Sequence, residues 1–259
     1  MHGNTIVFFH AHPDDEAIFT GLTMRRLADA GARVILATAT TGDLGEPLVP
    51  LATGETLAEC RHRELELACA ELGVSRLVQL GYRDSGMPGW ADNLHPDALA
   101  MADRRGLARQ LANLCAAEGA AALVHYDSHG IYGHPDHVAV HLIGRLAARF
   151  AQITAYEATV DREHLHIAHQ TAEGDHLVHG ANRSQPAPYG RVTVEIPLAV
   201  AADEATLAAK RRAMAAHASQ IPPEALDLAG FSDVYGLEWY LRDGPAGVVD
   251  RLGNVHAIV

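Results

Sequence analysis

Cysteine is scarce in this chain. Its 259 residues include three, Cys60, Cys69 and Cys115, an odd number without paired spacing. That argues against a disulfide framework and for a reducing, cytoplasmic setting in which the thiols serve as small packing groups. Aromatic residues are also few, at 5%, so the core must be built from Ala, Leu and Val. Basic charge is short: 20 Lys and Arg stand against 32 Asp and Glu, for a formal net charge of −12. A phosphate-backbone partner needs clustered Lys and Arg, so the balance argues against nucleic acid. No apolar run approaches the ~20 residues of a membrane span. The first apolar run is too short, and lacks the basic leader, for a secretory signal. No internal repeat is visible. The nearest thing to a linker is the short stretch Ser184-Gln185-Pro186-Ala187-Pro188. Nothing in the sequence fixes whether the chain forms a homo-oligomer.

Histidine is plentiful, at 17 residues. His164, His166, His169, His176 and His179 form a loose group that reads as a solvated loop. The chemistry concentrates in two other places. The apolar run Ile6-Val7-Phe8-Phe9 reads as a buried strand. It leads directly into His10-Ala11-His12-Pro13-Asp14-Asp15-Glu16, where Pro13 ends the strand. Open parallel sheets hold their active sites at such carboxyl ends. Asp14 or Asp15 can equally cap the helix that starts near Glu16. A second strand candidate, Ala121–Tyr126, leads into Tyr132-Gly133-His134-Pro135-Asp136-His137. The two clusters converge if their strands are close neighbours in one sheet.

In that case His12, Asp15 and His137 supply two imidazoles and one carboxylate. The set suits a catalytic Zn2+ with one position left for water, and it suits Fe2+ as well. Adjacent side chains diverge, so Asp14 is free to act as general base. His134 is placed to stabilise an oxyanion or protonate a leaving amine. Asp136 either orients His134 or caps the following helix. Tyr132 either gives a hydroxyl to the tetrahedral intermediate or packs as a loop aromatic. His10 is expected as a buried, hydrogen-bonded strand residue.

Strand and helix patterns alternate through most of the chain. Ile6–Phe9 is followed by a helix over Ala17–Ala30 with Gly31 beyond its end. Then come a strand at Val34–Ala39, a loop from Thr40 to Thr53, a helix at Leu57–Leu72 stopped by Gly73, and a strand at Leu77–Leu80. A second loop runs from Gly81 to Asn93. A helix at Asp97–Glu118, the strand Ala121–Tyr126, a helix at Asp136–Phe150 and a strand at Ile153–Val160 follow. Beyond them lie strand candidates Arg191–Ile196 and Tyr235–Leu241 and a helix at Asp203–Ser219. This order predicts an α/β fold: a mainly parallel sheet with helices on both faces. It forms one domain, with a core over residues 1–160 and an accessory C-terminal part over 161–259.

Ala11-His12-Pro13-Asp14-Asp15-Glu16 together with Gly133-His134-Pro135-Asp136-His137 resembles the PIG-L/LmbE family of metal-dependent N-deacetylases. Arg61…Glu64…Ala68…Leu72-Gly73, Tyr82-Arg83-Asp84-Ser85-Gly86-Met87 and His217-Ala218-Ser219-Gln220 are similar to further family segments. The resemblance implies a Rossmann-like fold with zinc held at His12, Asp15 and His137. It implies Asp14 as base and His134 as the electrophilic or acid group, with Arg61 and Asp84 in regions that contact the sugar or its aglycone. Read from the residues alone, Arg61 can instead be a helix-surface ion pair with Glu64. His217 can be a C-terminal helix cap.

The implied reaction removes an N-acetyl group from a small-molecule amino sugar or glycoside. Alternatives are an amidase for a thiol conjugate or a natural-product amide, and a metal-dependent carbohydrate-binding protein without turnover. Conjugate amidases of the family carry a lysine near Phe19, where this chain is apolar, which counts against the first. Binding alone needs neither Asp14 nor His134, which counts against the second. A phosphatase would want a glycine-rich or basic phosphate cradle, and neither motif supplies one.

Overall fold

The computed structural model describes residues 4–165 and 189–255. The stretch 184–188 and the histidines at 166, 169, 176 and 179 lie outside the described residues. Eight strands form one sheet in the order β3-β2-β1-β4-β5-β7-β6-β8. At the centre of its parallel part is β1, Thr5–His10, in which every residue is buried. It pairs in parallel with β2, Arg33–Thr40, on one side and with β4, Ala120–Tyr126, on the other. The strands β3, Arg76–Tyr82, and β5, Thr154–Thr159, extend the parallel part outward. Both His/Asp clusters therefore leave the sheet at the point where strand order reverses. Such a crevice is where open α/β sheets bind ligands.

Beyond β5 the sheet turns antiparallel. The strand β7, Leu237–Asp243, pairs with β5 and with β6, Leu198–Ala201, and β6 also pairs with the two-residue β8, Asn254–Val255. The strand expected at Arg191–Ile196 is not one. Arg191 makes a single bridge to Asp161, and Thr193–Glu195 is a 3-10 turn. Val192, Val194 and Ile196 alternate like a strand, yet Val194 is 70% exposed while Ile196 is buried, so the three do not share one buried face.

The helix expected at Ala17–Ala30 is two helices, α1 (Asp15–Phe19) and α2 (Gly21–Asp29). Thr20 breaks it with φ −138°. Its hydroxyl bonds to Glu16 O at 3.3 Å and His10 Nε2 at 2.8 Å. The freed N-terminus of α2 is capped from β7, where Glu238 accepts from the N–H groups of Leu22 and Thr23 at 2.8 and 2.9 Å. At the other end Gly31 N–H bonds to Ala28 O and Ala32 N–H to Leu27 O, the paired closure in which a glycine at positive φ is favoured.

The helix α3, Leu57–Leu72, keeps its expected bounds, with a Thr56/Glu59 capping box and Gly73 at φ 73°. The helix expected from Asp97 begins later, as α4 (Arg104–Ala117), because Asp103 caps it. The preceding residues form 3-10 turns at Ala91–Leu94 and Leu99–Met101. A short turn α5, Gly130–Gly133, precedes α6, Pro135–Ala151, and α7 spans Glu204–Ala216 behind an Asp203 capping box. The helices α4 and α6 pack together, while α7 packs on α1, α2 and α3. Among the described residues no helix is long and apolar enough to cross a membrane.

Candidate active site

The ends of β1 and β4 bring their clusters together. His12 Nδ1 lies 3.4 Å from Asp15 Oδ2, His137 Nε2 lies 3.3 Å from the same oxygen, and the two nitrogens are 3.3 Å apart. All three side chains are buried. A tetrahedral ion with bonds of ~2.0 Å separates its ligands by roughly 3.3 Å. The triangle therefore matches one face of such a tetrahedron and leaves its apex open. His134 also falls within 4.8 Å of the other two imidazoles. A second grouping of His12, Asp84, His134 and Asp136 meets the same distance. Its closest pair, His12 Nε2 to Asp136 Oδ2 at 3.2 Å, is better read as support for His12. Histidines that hold metals commonly donate their other ring N–H to a carboxylate.

Asp136 thus departs from both expectations. It does not orient His134, and it does not cap α6. Its carboxylate faces His12 and accepts from Ser85 N–H at 2.9 Å and from the Ser85 hydroxyl. The cap is His134, whose Nδ1 accepts from Asp136 N–H at 3.2 Å. That bond places the proton of neutral His134 on Nε2. Burial, then the neighbouring His12 and His137, hold the His134 pKa well below the usual histidine range. Its Nε2 lies 3.9 Å from Asp84 Oδ1. Asp84 is fixed by Gly86 N–H at 2.8 Å. Against the opposing effect of burial, His12 keeps its pKa below the carboxylate range.

Asp14, the residue before Asp15, has a backbone of φ 107° and ψ −34°. Burial pushes its carboxyl up to about 6, with Arg61 acting in the opposite sense. A carboxylate in that range can exchange a proton near neutral pH. Arg61 is 4% exposed and is not paired with Glu64. Its guanidinium meets Asp14 Oδ2 at 3.1 Å, Gly42 O at 2.9 Å and Gln220 Oε1 at 3.3 Å, and also bonds to Pro13 O. A Cβ on Gly42, which has φ +65°, would come within 2.5 Å of that guanidinium. Glu64 instead accepts from Ser219 N–H at 2.8 Å and Ser219 Oγ at 2.6 Å.

Tyr132 reaches the site, its hydroxyl 3.3 Å from His137 Nε2. His10 is the buried strand residue expected, bonded to the Tyr126 hydroxyl and to Thr20 Oγ1 at 2.8 Å each. Three residues escaped the sequence reading as site components. Tyr126 stacks on His137 at 4.5 Å and 18°, Ser85 holds Asp136, and Glu16 joins His217 at 2.6 Å. Glu16 and Ser85 lie inside segments that carry the family resemblance, which was the signal for them; Tyr126 lies in a strand and had none.

The chain is similar to known deacetylases. The family model described as "PIG-L: GlcNAc-PI de-N-acetylase" matches residues 7–148. A relative from Salinispora arenicola, named 1D-myo-inositol 2-acetamido-2-deoxy-alpha-D-glucopyranoside deacetylase, is 37% identical over 91% of this chain and 83% of its own. A protein of the same name from Thermobispora bispora is 35% identical over 95% of this chain and 91% of its own. Among solved structures, an A40926 pseudoaglycone deacetylase aligns with a TM-score of 0.61 over 94% of this chain and 98% of its own. At 18% identity that likeness is one of fold.

Proposed function

The chain belongs to the PIG-L family of de-N-acetylases, and from that premise we propose that it removes the N-acetyl group from an N-acetylglucosamine-type sugar carried as a glycoside. The observation that carries this reading is the buried His12–Asp15–His137 triangle, with Asp14 next in sequence to one of its donors and the His134 ring edge-on to His12 at 4.7 Å. Two imidazoles and one carboxylate fit Zn2+, with Fe2+ the runner-up. A bound divalent cation supplies Lewis-acid polarisation there and lowers the pKa of a coordinated water.

The protein's own groups handle the protons. Asp14 takes one from the attacking water as the new C–O bond forms. His134, carrying its proton on Nε2, donates a hydrogen bond to the developing oxyanion. Tyr132, whose ring lies 6.1 Å from that of His134, adds a second donor. When the C–N bond breaks, the proton held by Asp14 is available to the leaving amine, and the products are acetate and a free amino sugar. Asp136 and Ser85 keep His12 oriented. Arg61 holds the Asp14 turn, and Asp84 stands beside His134, where we place the sugar.

The deciding experiment incubates zinc-loaded protein with N-acetylglucosaminyl-inositol, diacetylchitobiose and free N-acetylglucosamine, and follows amine release. Turnover of a glycoside is the expected result. Absence of amine from all three, with zinc and with ferrous iron, would overturn the assignment.

A further inference from the structure

Asp14 holds a backbone conformation that non-glycine residues rarely adopt, φ 107° and ψ −34°. Such a conformation persists only where its surroundings over-determine it. The surroundings here come from the far end of the chain. Asp14 N–H donates to Glu16 Oε2 at 3.0 Å. The other oxygen of the same carboxylate, Glu16 Oε1, accepts from His217 Nε2 at 2.6 Å. Both the Glu16 and the His217 side chains are 0% exposed.

His217 is itself fixed. It terminates α7, and its carbonyl accepts from the N–H groups of Gln220 and Ile221 at 2.9 and 2.8 Å. Two residues on, Ser219 is bound to Glu64. Gln220 touches the same Arg61 that grips the Asp14 carboxylate. One short segment after α7 thus reaches the Asp14 turn twice, through Glu16 to its backbone and through Arg61 to its side chain.

We propose that His217 is a positioning residue: through Glu16 it holds the Asp14 turn in the conformation that aims the carboxylate at the attacking water. The role rests on the reading of Asp14 as base. His217 touches neither the His12–Asp15–His137 triangle nor the cleft side of Asp14, so its influence passes through one carboxylate. A buried carboxylate with two donors is rigid. With one donor removed it keeps an unpaired oxygen and no fixed orientation.

The test uses the full chain with His217→Ala and His217→Gln, the glutamine amide N–H standing where Nε2 stood. Bound zinc, steady-state kinetics on the N-acetylated glycoside and deuterium exchange of the peptide carrying Asp14 are measured. His217→Ala is expected to bind zinc as the parent does, to hold KM within about twofold and to lose about 10- to 100-fold in kcat, the usual effect of removing a group that orients a reactive side chain. Exchange at the Asp14 amide should quicken. His217→Gln should recover most of kcat and the slow exchange. Parent kcat in His217→Ala overturns the proposal, as does unaltered exchange, or equal loss of activity in both variants.

Should His217→Ala fail to fold, Glu16→Gln decides. It keeps the shape but can accept only one of the two donors, and a parent kcat in it overturns the proposal. Asp14→Asn at the parent rate would refute the base assignment while leaving the exchange result standing, so the two failures are distinguishable.

Discussion

Asp136→Asn is the sharpest probe of the metal site, because it changes one charge without changing shape. The Asp136 carboxylate is fully buried and serves three donors: His12 Nε2 at 3.2 Å, Ser85 N–H at 2.9 Å and the Ser85 hydroxyl. An asparagine with its oxygen at the Oδ2 position still accepts from His12 and from Ser85 N–H, and its NH2 donates to the Ser85 hydroxyl oxygen, so what is lost is the charge. Hydrogen bonds to charged groups contribute about 1.5–3 kcal/mol, roughly twice a neutral one. At about 1.4 kcal/mol per tenfold, losing about half of that lowers zinc affinity by about 3- to 10-fold, short of the ~10- to 100-fold seen when such supporting groups are removed outright. A competition titration against a zinc-sensitive chelator reads this directly, with circular dichroism as the control for folding. A folded Asp136→Asn protein that binds zinc within about twofold of the parent would refute the idea that His12 is held through Asp136.

Other consequences follow from the same geometry. Asp14→Asn should retain zinc but lose about 100-fold or more in kcat, the usual contribution of a positioned base; metal analysis beside kinetics checks both halves. Burial, with Asp127 adding to it, raises the Glu157 carboxyl to about 7. The native state therefore binds that proton more tightly than the unfolded chain, and stability falls as pH rises from about 4.5 through 7. Glu157→Gln should be the more stable protein at pH 8, by about 1 kcal/mol after discounting for partial exposure, with no difference near pH 4; denaturant melts at the two pH values decide it. Lys210 and Glu238 form a buried pair at 2.8 Å, each 1% exposed. Lys210→Met leaves Glu238 charged and buried, so it should cost about 3–5 kcal/mol; an unchanged thermal midpoint would contradict this.

What could be read from the sequence was whatever is decided locally. The helix Leu57–Leu72 was legible at both ends because its capping box and its glycine stop are neighbours of the helix itself. The pairing of His12 with His137 was legible because each motif follows a strong strand, and the two strands are adjacent. The break at Thr20 was not, since it depends on His10 and on Glu238, which lies 216 residues from Leu22. Asp136 was misread although the signal was present. Pro135 at the first helical position already marks its predecessor as the cap, which frees Asp136 for another partner. That the partner is His12, and that Ser85 shares it, depends on how three loops converge in space. Arg61 shows the same limit: its spacing from Glu64 suggested a surface pair, whereas both side chains are directed inward to different segments.

The link between Glu16 and His217 spans 201 positions of the chain. Every donor of the metal triangle has been synthesised once His137 is made, about eighty residues before His217 appears. Contacts of such long range close late in folding, after local ones have formed. During synthesis, then, the protein can acquire the means to capture its ion well before the Asp14 turn is locked. An immature chain would carry metal in a centre that cannot yet turn over, and hydrolytic competence would arrive with the last third of translation.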